Sequence, residues 1–422
     1  MKLVIAEKPS VAMALASVLG ARTRKDGYVE GNGYIVSWCV GHLVGLCDAS
    51  EYDEKYKKWR YDDLPIVPEC WKHKVLEGTK KQFGILKKLM RDSKVDEVIC
   101  ATDAGREGEL IFRLVYEQAG CKKPMKRLWI SSMEEQAIKD GFASLKDGSC
   151  YDSLYQSALC RAKADWLVGI NASRLFSVLY NQNLKVGRVQ TPTLAMIVDR
   201  NQKIKEFTKE KYYMAHIKFD DMDAVTEHFQ KKEDADKVAA DCAERMCEVE
   251  KDDVKEKTVR PQKLYDLTTL QREANRMFGY TAQQTLDAVQ EMYEQKLVTY
   301  PRTDSQYLTD EMGENTETLI QMLLGKMPYA EGLEYQPDVS KVLNSKKVSD
   351  HHAIIPTMEV AKADIGELKE RNCKILYLIS ARVLTATADP YIYESHKCQI
   401  TCNYHTFYLN AKKTKQEGFK TI

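Results

Sequence analysis

Residues Glu97 to Gly120 read EVICATDAGREGELIFRLVYEQAG, and this stretch decides the fold class. Val98 to Ala101 is a β-favouring run, Asp103 to Gly105 is a turn, and Leu110, Ile111, Leu114 and Val115 then recur at helical spacing. Strand, turn and helix in that order form the repeating unit of an α/β layer fold. The unit also opens the chain: Leu3 to Ala6 is a short apolar strand, Pro9 and Ser10 start a helix that runs through Leu19, and Gly20 closes it. GYIVSWCVGHLVGL (Gly33 to Leu46) and KRLWISSM (Lys126 to Met133) add further strands, so an α/β domain is predicted over residues 1–150.

In an open α/β sheet, ligands gather beyond the carboxyl ends of the strands. Glu7 and Asp103 each follow a strand at that end, with Glu107 four residues after Asp103 and Glu109 beyond it. A turn leading into a helix lets Asp103 and Glu107 face one point, while Glu7 arrives from a neighbouring strand. Hard oxygen donors at such a point suit Mg2+ rather than zinc. The plainer alternative is a set of solvated acids favoured at a helix N-terminus by its dipole. The clustering of two separate strand ends favours the functional reading.

A chain of 422 residues exceeds one ordinary core and implies two to four domains. Its 63 basic and 62 acidic residues nearly cancel, so a polyanion would have to be met by a local basic groove. The 12 cysteines include no C-x-x-C pair, which argues against a zinc module and for a reduced, cytoplasmic protein without a signal peptide. No apolar run approaches a membrane span.

Beyond residue 150 the pattern changes. Tyr155 to about Lys205 is predicted helical, and residues 211–260 alternate like sheet around one interrupting helix. Thr281 with Gln284 is a capping box opening a helix that leads to a strand around Tyr300. CKILYLISARVLTATADP (Cys373 to Pro390) is an apolar helix, and the residues after Tyr391 return to strand character like that of 211–220. One domain interrupted by another is the expectation.

The segment TYPRTDSQYL (Thr299 to Leu308) places a tyrosine, an arginine and an aspartate within five positions. With VIAEKPSVA, ATDAGREGELI, VGRVQTPTLA and HHAIIPT it follows the motif order of type IA DNA topoisomerases, and the chain resembles the bacterial topoisomerase III branch over nearly all its length. The resemblance implies a multidomain α/β protein: a Toprim domain over 1–150, then helical and β-rich domains in an incomplete topoisomerase toroid. It places the first half of the helical fourth domain at 151–208 and the first part of the β-rich second domain at 209–264. The third, gate domain falls at 265–388 and the return into the second domain at 389–422.

The same resemblance implies that Tyr300 is the nucleophile, forming a 5′-phosphotyrosine bond. A phenol of ordinary pKa near 10 needs a cation beside it, and Arg302, two positions along an extended chain, can contact phosphate. Lys8 is implied at the leaving oxygen, and Glu7 as proton carrier or Mg2+ ligand with Asp103 and Glu107. Gly105 stands where the family commonly has a middle carboxylate, which implies weaker Mg2+ binding. Arg161 and Asp165, four apart on a helix, and Arg188 and Gln190, alternating in an extended segment, are implied DNA contacts, as are Asp304 and Ser305. His351 is implied near the scissile phosphate, where a charged imidazole would bind electrostatically. Trp38 and Trp166 read as structural.

Implied partners are single-stranded or negatively supercoiled DNA and a recombination helicase, with no membrane, the protein acting as a monomer. The exchange of one phosphoester for another conserves bond energy, and the chain has no P-loop for ATP. The closing half of the fourth domain is expected to lie outside the sequence. Two other readings are a DNA-gripping fragment without chemistry and a Toprim primase or nuclease, the second of which leaves TYPRTDS without a role.

Overall fold

The computed structural model describes residues 1–220, 222–333, 336–349 and 351–422. In the N-terminal region the elements are β1 (Lys2–Ala6), α1 (Pro9–Leu19), β2 (Thr23–Lys25), β3 (Tyr28–Gly31), β4 (Tyr34–Trp38), β5 (Val44–Leu46), β6 (His73–Val75), α2 (Lys80–Arg91), β7 (Glu97–Ala101), α3 (Arg106–Gln118), β8 (Met125–Arg127), α4 (Glu135–Ala143) and β9 (Lys146–Asp147). Seven of these strands make one sheet in the order β2-β3-β4-β1-β7-β8-β9. Its centre is parallel, with β1 between β4 and β7. Leu3, Val4, Ile5 and Ala6 are wholly buried, as a parallel strand covered on both faces requires. Gly20 ends α1 in the left-handed conformation, at φ 75°. The strand predicted over 126–133 is shorter in fact: only Met125–Arg127 joins the sheet, and the chain beyond it runs on irregularly toward the site.

A long helix, α5 (Asp152–Tyr180), and a second, α6 (Gln190–Lys205), replace the continuous helical stretch expected to Lys205. The break falls at Asn181, in the left-handed region at φ 49°. No residue of α6 is buried. The chain then enters a second sheet through β10 (His216–Phe219), β11 (Met222–Val225), α7 (Lys232–Cys242) and β12 (Glu248–Val259). It leaves for a helical insert of α8 (Leu267–Phe278), α9 (Ala282–Glu294), α10 (Gly313–Lys326) and α11 (Glu370–Thr387), and returns as β13 (Tyr391–Cys402) and β14 (His405–Gln416). The sheet order β10-β11-β14-β13-β12 joins strands from both sides of the insert, the interruption expected from sequence. Thr281 and Gln284 form the predicted capping box at the start of α9.

The Tyr300 segment is not a ladder strand. Isolated bridges pair Val298 with Pro356 and Tyr265 with Ile354, and the chain between them is extended but unpaired with a sheet. Its packing is nonetheless firm. Val4, Leu15 and Ile99 of the first sheet and Leu270, Met292, Tyr300 and Leu376 of the insert belong to one continuous apolar core. All 12 cysteines are free thiols. Among the described residues no helix is long and apolar enough to cross a membrane.

Candidate active site

The carboxyl ends of β1 and β7 and the segment after Val298 meet at one cleft of about 320 Å³. Glu7 leaves β1 and Asp103 follows β7, and the Asp103 N–H donates to Glu7 Oε2 at 3.3 Å. The Tyr300 hydroxyl donates to Asp103 Oδ2 at 3.1 Å, across 197 positions of sequence. Its main-chain N–H donates to Ser131 O at 3.2 Å. Tyr300 is only 7% exposed, held between Tyr293 and His351 with ring centroids 5.4 and 4.3 Å away.

Two features shape the turn that presents Asp103. A Cβ on Gly108 would lie 2.1 Å from Asp103 O, so α3 approaches the turn more closely than any other residue permits. Beneath it Arg127, 1% exposed, donates to the carbonyls of Thr102 at 2.7 Å, Asp103 at 2.7 Å and Leu128 at 2.8 Å. Its charge is balanced by Glu109 at 3.1 Å, which also pairs with Arg113 at 2.8 Å. Glu109 therefore lies under the turn and not in the acidic cluster, because a buried guanidinium needs a carboxylate partner.

The electrostatics follow from burial. Desolvation, reinforced by the nearby Asp103 charge, holds Glu7 up to about 7. Burial also raises Asp103, against the opposing pull of Lys8 and the Tyr300 hydroxyl. The Tyr300 phenol is pushed well above its ordinary value by burial and by Asp103, with Arg302 acting the other way. His351 Nε2 contacts Ala104 O, and since a carbonyl only accepts, that nitrogen carries the proton. Nδ1 then accepts from Ser131 Oγ at 3.1 Å. Burial lowers this imidazole to about 4, so in this closed arrangement the ring is neutral.

Residues 149–422, well over half the chain, match the DNA topoisomerase family, and residues 2–133 match the Toprim domain. The chain belongs to the DNA topoisomerase family. It is a type IA member of the topoisomerase III-like branch. It is 40% identical to DNA topoisomerase 3 of Staphylococcus haemolyticus over 429 residues, covering 100% of this chain and 60% of that protein. Against DNA topoisomerase 3 of Bacillus cereus the identity is 42% over 440 residues, covering 99% and 59%. The chain thus spans about 60% of the length of these relatives. Full-length topoisomerase I from Thermotoga maritima shares the fold, with a TM-score of 0.73 at 24% identity, covering 100% of this chain and 67% of that one.

The remaining residues singled out in this topoisomerase sequence divide into those that reach the cleft and those that do not. Arg302 and Arg161 line it. Lys8 sits at its edge, paired with Glu294 of the insert at 3.5 Å. Asp165 pairs with Arg188 at 2.5 Å, and not with Arg161 on its own helix. The extended segment expected at Arg188 and Gln190 is instead a turn running into α6, with Gln190 its first residue, so the two do not alternate along a strand. Asp304 accepts from Ser349 Oγ at 2.8 Å. Ser305 is 4% exposed and donates to Lys347 O at 2.9 Å, which turns it into the insert. Trp166 is structural as expected, donating to Cys47 O at 2.9 Å.

The Mg2+ expectation can be set against the donors present. Glu7 and Asp103 offer two hard carboxylates whose mutual repulsion a divalent cation would relieve, so their chemistry fits. Glu107 lines the same cleft, but its carboxylate faces His42 Nε2 at 3.4 Å and is 58% exposed. Among the described residues no three His, Cys, Asp or Glu side chains are grouped to hold a metal. Ser131, Arg127, Gly108 and the Ala104 carbonyl escaped the sequence reading. Two of these contacts use backbone atoms, which no residue type advertises, and the serine lies in KRLWISSM, which reads only as a strand.

Proposed function

We propose that this chain carries the cleavage and religation chemistry of a type IA DNA topoisomerase, acting on single-stranded DNA. The observation that carries the reading is the Tyr300 hydroxyl at 3.1 Å from Asp103 in a cleft shared with Glu7, Arg302 and His351. The closed arrangement is a resting state in which the nucleophile is protonated and covered, so the insert must move off the sheet before a strand enters. With a phosphate seated, Arg302 binds its oxygens and stabilises the phenolate, and Asp103 Oδ2 takes the phenolic proton. The Tyr300 oxygen bonds to phosphorus as the bond to the 3′ oxygen breaks. Glu7, held near neutrality, supplies the proton that the 3′ oxygen gains, and Lys8 holds the developing charge. Religation reverses each transfer. His351 fixes the turn through Ala104 and orients Tyr300 through ring contact.

Glu7 and Asp103 would hold Mg2+, which when bound supplies charge neutralisation at the phosphate. Strand passage, relaxation of supercoiled DNA and any helicase partnership belong to the same reading at the level of the whole relatives. The test is incubation with end-labelled single-stranded DNA and Mg2+ followed by denaturation. A covalent adduct is expected, and Tyr300→Phe should abolish it while leaving the unfolding midpoint close to wild type. An adduct that survives Tyr300→Phe, or its absence from the folded, metal-supplied wild type, overturns the proposal.

A further inference from the structure

The chain beyond β8 leaves the first sheet and brings Ser131 against two groups of the insert. Its carbonyl accepts from the Tyr300 main-chain N–H at 3.2 Å. Its hydroxyl donates to His351 Nδ1 at 3.1 Å. Those two groups are already tied to each other inside the insert. Thr303, three residues after Tyr300, donates its hydroxyl to His351 O at 2.9 Å, and the Tyr300 and His351 ring centroids lie 4.3 Å apart. Tyr300 and His351 therefore sit as one unit, and one residue from the sheet side holds that unit at both a main chain and an imidazole.

The hydroxyl contact settles more than a distance. A neutral imidazole has one N–H and one lone pair. With Nε2–H turned to Ala104 O, the Nδ1 lone pair faces Ser131 and needs a donor, because His351 is only 3% exposed and bulk water does not serve it. The opposite tautomer would set a lone pair against the Ala104 carbonyl oxygen. Trp129, two residues before Ser131, lies nearly parallel to the His351 ring with centroids 6.4 Å apart, so the same stretch of chain confines the imidazole on a second side. Ala104 is the neighbour of Asp103, whose Oδ2 accepts from the Tyr300 hydroxyl at 3.1 Å. The contacts form a closed circuit, from Ser131 through His351 and the Ala104 turn to Asp103, and from Asp103 through Tyr300 back to the Ser131 carbonyl.

We infer that Ser131 is a positioning residue for the transfer at Tyr300. Its hydroxyl fixes the tautomer and tilt of His351, and through them the angle at which Asp103 faces the phenol each time the insert closes. The inference rests on the cleavage reading for the reaction concerned. Ser131 acts through His351 and takes no proton itself. Its contribution is registration: a nucleophile carried on one domain must meet carboxylates carried on another, and a small misplacement there is costly in rate.

The test is single-turnover adduct formation on end-labelled single-stranded DNA with Mg2+, run across a range of DNA concentrations in the full chain. Ser131→Ala keeps the carbonyl and loses the hydroxyl, so the plateau rate should fall by roughly ten- to a hundredfold while the half-saturating DNA concentration holds. Ser132→Ala removes a hydroxyl from the same stretch, one that donates to Glu134 at 3.1 Å and not to His351, and should match wild type. In a His351→Ala background, Ser131→Ala should cost nothing further, since the two act as one unit. The DNA-free protein gives a readout independent of activity. Long-range nitrogen–proton NMR spectra, assigned by the signals lost in His351→Ala, should show His351 protonated at Nε2, and Ser131→Ala should shift the Nδ1 resonance. An unchanged plateau in Ser131→Ala, an equal loss in Ser132→Ala, a full further loss in the His351→Ala background, or a proton found on Nδ1 overturns the inference. A wild type that forms no adduct sinks the cleavage reading, with the ring spectra still deciding whether Ser131 holds His351.

Discussion

Gly105→Asp should strengthen Mg2+ binding and is the sharpest probe of the acidic cleft. Gly105 caps α3 with φ 173° and ψ 174°, extended backbone that any residue adopts. A Cβ built there meets no atom within 4 Å, although the residue lines the cleft. An aspartate is therefore admitted without strain, and it adds a third hard oxygen donor to Glu7 and Asp103. Two unit charges about 4 Å apart interact by about 4 kcal/mol at the effective dielectric of a protein surface. Desolvation and crowding of a third carboxylate against two raised ones offset most of that. A net gain of about 1.4 to 2.8 kcal/mol, or ten- to a hundredfold in affinity, is expected. The assay is the Mg2+ concentration for half-maximal adduct formation, with calorimetric titration of the metal alone as a readout independent of activity. Gly105→Asn, of the same shape without the charge, should leave both unmoved. If the aspartate variant folds normally and its half-saturation equals that of wild type, Glu7 and Asp103 are not where the metal sits.

Two further outcomes test the same geometry. Gly108→Ala forces a methyl to within 2.1 Å of Asp103 O unless the turn shifts, so it should destabilise the protein by about 2 to 4 kcal/mol and remove adduct formation with Tyr300 intact; an unchanged urea midpoint would contradict this. Glu7 is a carboxyl raised from 4.5 to about 7 in the folded state, so folding takes up a proton between those values. This group therefore favours the closed form most at low pH and weakens it as pH rises through about 7, a loss of about 1 to 3 kcal/mol in chelator. Glu7→Gln should flatten that part of the stability profile, and a wild-type profile that rises over the same interval would show the sign to be wrong.

The alternation of strand and helix around Asp103 was legible because apolar periodicity and glycine punctuation are local signals. So was the split second sheet, since residues 211–220 and those after Tyr391 share a composition. The meeting of Tyr300 with Glu7, Asp103 and Arg302 in one cleft was legible only through the combination of motifs. What the sequence could not reveal is pairing between distant side chains. Asp165 pairs with Arg188, 23 residues on, because the turn after α5 folds back onto that helix. Glu109 and Glu107 look equivalent in REGE, yet helical geometry sends one inward to Arg127 and leaves the other on the cleft wall against His42. The neutral state of His351 depends on burial by Trp129, Tyr300 and the Ala104 turn, none of which its own neighbours in sequence announce.

The register of the second sheet pairs Val259, the last residue before the insert, with Tyr391, the first after it. Both connections of the helical insert thus emerge side by side from one ladder. In mechanical terms this is a double strap, which resists twisting about its length while leaving bending across it soft. A load on the insert is shared by two adjacent chains whose cross-links lie in the sheet. Displacing the Tyr300 segment from Asp103 would then require no strand of that sheet to separate.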